Sequence, residues 1–128
     1  MEDRCPFCSP LPAEVVLQNL LCFARYDRYP VARGHLLIIP FRHVASFFDL
    51  TDSERNDAIE LIWQAKQKLD GDFHPNGYNM GVNVGHAAGQ TILHAHIHLI
   101  PRYQGDVERP EGGVRGVIPQ NRLYRDQP

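Results

Sequence analysis

The rhythm of apolar and polar residues changes several times along the chain, and each change marks an element. Residues 1–13 hold Pro6, Pro10 and Pro12 and read as a loop. Glu14 to Asn19 and Leu20 to Tyr26 are two β-prone runs, with Gln18 and Asn19 as the turn of a hairpin. Asp27 to Gly34 is a loop. His35 to Ile39, stopped by Pro40, is too short for a helix and reads as a strand buried on both faces. Phe47, Phe48 and Leu50 are assigned to the core, around a short helix. Thr51-Asp52-Ser53-Glu54 has the capping-box pattern. Ala58, Leu61, Ile62, Ala65 and Leu69 then recur at helical spacing, with Gly71 as a natural stop and Trp63 off the stripe. Asp72 to Gly77 is a turn, Tyr78 to Val84 an alternating strand, and Gly85 to Gly89 a loop of small residues. Thr91 to Ile100 alternates again and ends at Pro101. The remainder, from Arg102 on, is rich in glycine, proline and charge and has little period. Hairpin, strand, helix and two further strands predict an α+β fold with a mostly antiparallel sheet.

The second alternating strand carries unusual cargo. His94, His96 and His98 alternate with Ala95, Ile97 and Leu99. A period of two places the three imidazoles on one face, roughly 6–7 Å apart, and the apolar residues on the other. Imidazole works near neutral pH as nucleophile, acid, base or metal ligand. Just upstream lie Asn83, Gly85 and Gly89-Gln90-Thr91, a loop whose backbone N–H groups, amide and hydroxyl suit a phosphate. Composition bounds the rest. A chain of 128 residues fits one domain, and a net charge of −2 gives no electrostatic case for nucleic acid or a membrane surface. Neither a leader-like apolar segment nor a run of membrane-spanning length is present in the sequence, so the expected location is the cytoplasm. Three cysteines, two of them as Cys5-Pro6-Phe7-Cys8, do not make a disulfide framework; the pair points to metal or redox chemistry. Cys22, in an apolar run, reads as core, and His74 and His86 as loop residues at the surface.

The stretch from Gly89 to Arg102 resembles the signature of the histidine triad (HIT) proteins, three histidines separated by apolar residues. Gly34-His35 before an apolar strand and the Cys5-Pro6-Phe7-Cys8 start extend the likeness over residues 5 to about 102. It implies a HIT domain over residues 1–104, with one long and one short helix on a five-stranded sheet. Residues 105–128 become an extension, packed on the domain or on a dimer partner, as in some bacterial members. The resemblance is to nucleotide hydrolases of the fragile-histidine-triad, dinucleoside-polyphosphate-hydrolase kind, acting on anhydride or P–N bonds. It implies His96 as a nucleophile that carries a nucleotidyl intermediate. His98 would serve the phosphate and leaving group, with His94 and Gln90 completing the catalytic set. Histidine rather than glutamine at position 98 favours hydrolysis over transfer. Asp27 matches a ribose-binding position, Asn83 and Thr91 phosphate-binding ones, and Phe7 and Leu37 a base pocket for an adenine nucleotide; His35 supports the site. Arg25 departs from the apolar residue usual in that pocket. Cys5, Cys8, His43 and His94 match a structural zinc site of some members. The family pairs as homodimers through the long helix and a sheet edge, and Trp63 suits such a contact. A nucleotide sensor with little turnover is the alternative reading.

Overall fold

The computed structural model describes residues 5–124 of the chain. Its centre is a five-stranded antiparallel sheet. In chain order the strands are β1 (Leu17–Gln18), β2 (Cys22–Tyr26), β3 (Leu36–Pro40), β4 (Gly77–Val82) and β5 (Ile97–Arg102). Their spatial order is β1-β2-β3-β5-β4, so β5 slots between β3 and β4. One helix, α1 (Asp52–Phe73), crosses the sheet between β3 and β4 in sequence. No helix among the described residues is long and apolar enough to cross a membrane.

The period of two divides each central strand between two layers. Cys22 and Ala24 of β2, Leu36 and Ile38 of β3 and Leu99 of β5 meet Ala58, Leu61, Ile62, Ala65 and Leu69 of α1. Full burial of a leucine such as Leu61 or Leu69 contributes about 1.5–3 kcal/mol. Phe23, Leu37 and Ile39 point the other way and pack with Phe7 of the N-terminal segment. His98 lies opposite Leu37 and belongs to that second face. The helix covers one side of the sheet, and His98 and the N-terminal segment lie on the other.

The start of α1 follows the sequence. The Thr51 hydroxyl accepts from the Glu54 N–H at 3.1 Å, and the Glu54 carboxylate accepts from the Thr51 N–H at 2.8 Å. Glu54 also takes two hydrogen bonds from Arg42, which holds its carboxyl down at about 2. The end does not follow. The helix passes through Gly71 and stops at His74, which adopts the left-handed conformation at φ 52°. The extra residues place the Phe73 ring against Tyr26 and the core, a tertiary gain that overrides the local stop signal. Gly34 is required there: at φ +86°, a Cβ would sit 2.9 Å from the Phe73 ring.

Three other expectations change. Phe48 lies in a short 3-10 turn (Phe47–Asp49) and is 75% exposed, while Leu50 is buried. The histidine strand begins at Ile97, because the chain from Thr91 to Ala95 loops away toward the segment after β3; the Ala95 N–H donates to the Val44 carbonyl at 2.7 Å. Pro101 continues β5 opposite Tyr78, past the three residues that pair with β3, where a missing N–H is tolerated. The tail folds back on its own domain. A 3-10 turn over Gly113–Val117 contacts β4, and Arg102 holds Asp106 through two hydrogen bonds of 2.8 Å. Residues 125–128 of the tail lie outside the described residues.

Candidate active site

The three histidines are not a row of equivalents. His94 is fully buried, and its ring turns toward the N-terminal cysteines. His96 and His98 face each other with ring centroids 5.2 Å apart. Phe7 packs edge-on against both His94 and His96.

The hydrogen-bond partners assign a different protonation pattern to each ring. His96 Nδ1 lies 2.7 Å from the His94 carbonyl, an acceptor, so Nδ1 carries the proton and Nε2 is a bare lone pair. His94 Nε2 lies 2.8 Å from the Pro40 carbonyl, so Nε2 donates and Nδ1 is bare. For His98 the assignment starts further back. The Val31 N–H donates to His35 Nδ1 at 3.1 Å, so His35 carries its proton on Nε2. That proton is donated to His98 Nδ1 at 2.9 Å, which leaves His98 an N–H donor at Nε2. The site thus presents a nucleophilic nitrogen on His96 and a hydrogen-bond donor on His98.

Burial holds His35 and His94 below the ordinary imidazole range. Burial, with His96 and His35 alongside, lowers His98 to about 4. A base whose folded pKa is depressed stays neutral in the native state while the unfolded chain takes up protons. Stability therefore rises with pH between about 4 and about 6.5, and is lost as pH falls through that window. His98→Asn is expected to remove about 2 kcal/mol of the difference in stability between pH 7 and pH 4.5. Urea unfolding at the two pH values, with chelator present throughout, measures it; an unchanged difference would contradict the assignment.

Two clefts open on either side of this pair. The smaller, of about 110 Å³, is lined by His96, Phe7, Leu37, Ile92, Arg25 and Asp27, among others. Sequence reasoning missed Ile92, although it fills an apolar slot just ahead of the triad. Arg25 turns into this cleft. It is only 6% exposed, pairs with Glu14 at 3.2 Å and lies 5.9 Å from the Phe7 ring centre. The larger cleft, of about 370 Å³, is lined by His98, His35, Asn83 and, from the tail, Gly113 and Val114. Asp27 stands between the two. Its Oδ1 accepts from the Tyr29 N–H at 2.8 Å, while Oδ2 lies 3.5 Å from His35 Nε2 and 4.0 Å from His98 Nδ1. A cation held by Asp27, His35 and His98 is disfavoured, because the nitrogen His35 turns toward His98 is the protonated one.

The loop residues divide differently from the sequence expectation. Gln90 is buried, and its amide ties the loop together and to the segment after β3: Oε1 accepts from the Gly85 N–H, and Nε2 donates to the Ile92 and Ala45 carbonyls. It shapes the approach to His94 and points at neither cleft. Thr91 is exposed on the same loop and lines neither cleft. His86 and His74 are exposed, and Cys22 is buried, its thiol pushed up to about 12.

The second cluster joins the two ends of the domain. The ligand atoms of Cys5, Cys8, His43 and His94 all lie within 4.8 Å of one another. Cys5 Sγ is 3.3 Å from His94 Nδ1, Cys8 Sγ is 3.1 Å from His43 Nδ1, and the two Nδ1 atoms are 3.2 Å apart. A tetrahedron with zinc bonds of about 2.0–2.3 Å has edges of about 3.3–3.8 Å. The bare Nδ1 of His94, fixed by the Pro40 carbonyl behind it, is the tautomer a metal needs. Donor set and geometry fit a closed zinc site.

The HIT domain family model matches residues 9–105. The chain belongs to the HIT family. This HIT domain is 36% identical over 115 residues to a Mycobacterium tuberculosis protein named AP-4-A phosphorylase, covering 88% of this chain and 57% of that protein. It is 35% identical over 97 residues to a Schizosaccharomyces pombe asymmetrical bis(5′-nucleosyl)-tetraphosphatase, covering 76% of this chain and 53% of that protein. The chain thus spans little more than half the length of these relatives. Among solved structures, a Zn-bound histidine triad family protein from Mycobacterium smegmatis superposes with a TM-score of 0.68 at 29% identity, over 75% of this chain and 70% of that one. The one-helix, five-stranded architecture of this HIT domain is that of the solved HIT structures.

Proposed function

We propose that this HIT domain hydrolyses nucleotides at the α-phosphate through a covalent intermediate on His96, releasing a nucleoside monophosphate. The observation that carries the reading is the bare Nε2 of His96 beside the N–H of His98. The Nε2 lone pair attacks phosphorus, a P–N bond forms, and the bond to the leaving group breaks. Positive charge then appears on the imidazole, and the His94 carbonyl, already bound to Nδ1–H, stabilises it. Water attacks next, the P–N bond breaks, one proton passes to solvent and His96 returns to its neutral form.

His98 chooses the leaving group. A neutral imidazole offers a hydrogen bond and not a whole proton. A phosphate leaves readily with that help, whereas an amine must be protonated first. The reading therefore favours dinucleoside polyphosphates over phosphoramidates, in line with the names of the relatives. Phe7, Leu37 and Ile92 receive an adenine base, Asp27 accepts from the ribose hydroxyls, and Asn83 contacts phosphate oxygens, while Thr91, which lines neither cleft, is left without a contact to the substrate. Gln90 acts as a positioning residue for the loop. His43, His94, Cys5 and Cys8 hold a structural zinc that fastens the N-terminal segment, and with it Phe7, to the site. Two copies pair through the free edge of β4 and the α1 face bearing Ile59 and Trp63, which is 66% exposed.

Acid-quenched turnover of diadenosine tetraphosphate, followed by peptide mass spectrometry, tests the mechanism. An adenylyl adduct on the peptide holding His96 is expected. Its absence while the protein turns over excludes the covalent route, and nucleotide binding without turnover favours a sensor. Adding inorganic phosphate separates hydrolysis, which yields the monophosphate, from phosphorolysis, which yields the diphosphate.

A further inference from the structure

We infer that the C-terminal extension builds a second subsite, one that binds the departing half of the substrate as a nucleoside polyphosphate through Arg33. The inference rests on the reading of His96 as nucleophile and adds what the leaving group must be.

A third cleft, of about 520 Å³, lies between the ends of β4 and β5 and the tail. It adjoins the His98 cleft directly: Val31, Asn79, Ile100 and Gly113 line both. Together they form one trough that starts at His98 and runs toward the tail. A volume of several hundred cubic ångströms is that of a ligand site. An ammonia or fluoride released at phosphorus would never reach it, whereas a chain of phosphates passing His98 would.

The lining matches such a group at both ends. Arg33, Arg102, Arg109 and Arg122 bring four guanidinium groups to the cleft against the carboxylate of Asp106. Most are already committed. Arg102 binds Asp106 twice and Asn79 once, Arg109 pairs with Glu111 at 3.6 Å, and Arg122 donates to the Arg109 and Glu111 carbonyls. Arg33 is different. Its guanidinium lies 4.6 Å from the centre of the Tyr103 ring, and it has no carboxylate partner among the described residues. The Tyr103 hydroxyl donates to the Arg33 carbonyl at 2.7 Å, so ring and guanidinium are held as a unit. A stacked guanidinium keeps its N–H edge available, and that edge binds phosphate in a bidentate manner. Val31, Val107 and Pro110 supply apolar wall for a nucleoside beyond the phosphates.

The tail is shaped to hold this cleft. Gly112, at φ +92°, lies so close to the Arg122 carbonyl that any Cβ would collide with it. Gly113 in turn lies against the Asn79 side chain, at the wall the two clefts share.

The test compares two substrates with the same adenylyl half, adenosine 5′-phosphorofluoridate and diadenosine tetraphosphate. In Arg33→Gln, kcat/KM for the tetraphosphate is expected to fall about tenfold, mainly through KM, with the fluoridate within twofold of the parent. Val107→Glu, which adds a carboxylate to the cleft wall and removes no hydrogen bond, is expected to do the same. Equal losses on both substrates, or no loss on either, overturn the subsite. If the parent turns over neither substrate, the catalytic reading fails and the subsite is judged by binding alone. Calorimetry with ATP is then expected to give about tenfold weaker affinity for Arg33→Gln than for the parent, and equal affinities reject it.

Discussion

Replacing His96 by asparagine lowers turnover of diadenosine tetraphosphate by about a thousandfold or more, while nucleotide affinity stays within a few-fold of the parent. The size follows from losing a nucleophile, since no neighbouring group can take its place. His94 directs its bare nitrogen at the cysteines, and the side of His98 nearest His35 accepts a hydrogen bond. Asparagine retains an amide N–H that can reach the His94 carbonyl, so the carbonyl remains partnered and the fold is not disturbed. Binding is retained because the walls of the small cleft have other support: Phe7 also packs on His94, and Phe7, Leu37 and Ile92 share a cluster with Phe23 and Ile39. Steady-state kinetics and equilibrium titration of the same preparation check both halves. A variant that keeps a tenth of parental activity sinks the covalent mechanism.

Chelation of the purified protein lowers its melting temperature by about 10 °C or more, and a Cys5→Ser, Cys8→Ser double variant melts at the same lowered temperature whether or not chelator is present. About 3 kcal/mol of stabilisation is sufficient for a shift of that size in a domain of this length. A closed site with two thiolates supplies that much readily. The effect stops short of unfolding the chain, because the sheet and α1 have a core of their own on the opposite face. The N-terminal segment has far less: Phe7 is its buried anchor, and Cys8 is exposed. Losing the metal frees that segment, so a weaker Michaelis complex accompanies the lower melting temperature. Elemental analysis should find one zinc per chain. Metal-free protein with an unchanged melting temperature rules the site out.

Much of this site was legible in the chain because its chemistry is written in residue types at fixed spacing. The alternation of His94, His96 and His98 marked the centre, and the Cys-x-x-Cys pair marked a ligand set whose other half lay at His43 and His94. The strand pattern placed β3 in the middle of the sheet and Leu61 and Leu69 in the core. Direction was not legible. Periodicity says that three side chains share a face only while the backbone is a strand, and the chain enters β5 at Ile97, after two of the three. Roles set by carbonyls and N–H groups were also hidden. The His94 and Pro40 carbonyls and the Val31 N–H assign the ring protons of His94, His96, His35 and His98, and any residue type could have supplied them. Gln90 differs from its expected role for a related reason: an amide beside a loop suited to phosphate looks like a ligand until its three hydrogen bonds are seen to brace the loop and tie it to Ala45. Arg25 was visible as an oddity, and its contacts with Glu14, the Pro6 carbonyl and the Phe7 ring explain how a buried cation is tolerated there.

The division of the sheet into two layers has a consequence for how such a chain can change over generations. Neighbouring positions of one strand answer to different demands. Leu36 and Ile38 are bound to the helix, while Leu37 and Arg25 meet whatever occupies the cleft. Substitutions on the cleft side can alter ligand preference without loosening the core, so new specificities are reachable by single steps. An insertion or deletion within β3 or β5 has no such freedom, since a shift of one residue would turn core leucines toward the cleft and, in β5, His98 into the core. Lineages built on this scaffold are expected to diverge by substitution in the strands and to confine changes of length to the loops and the tail.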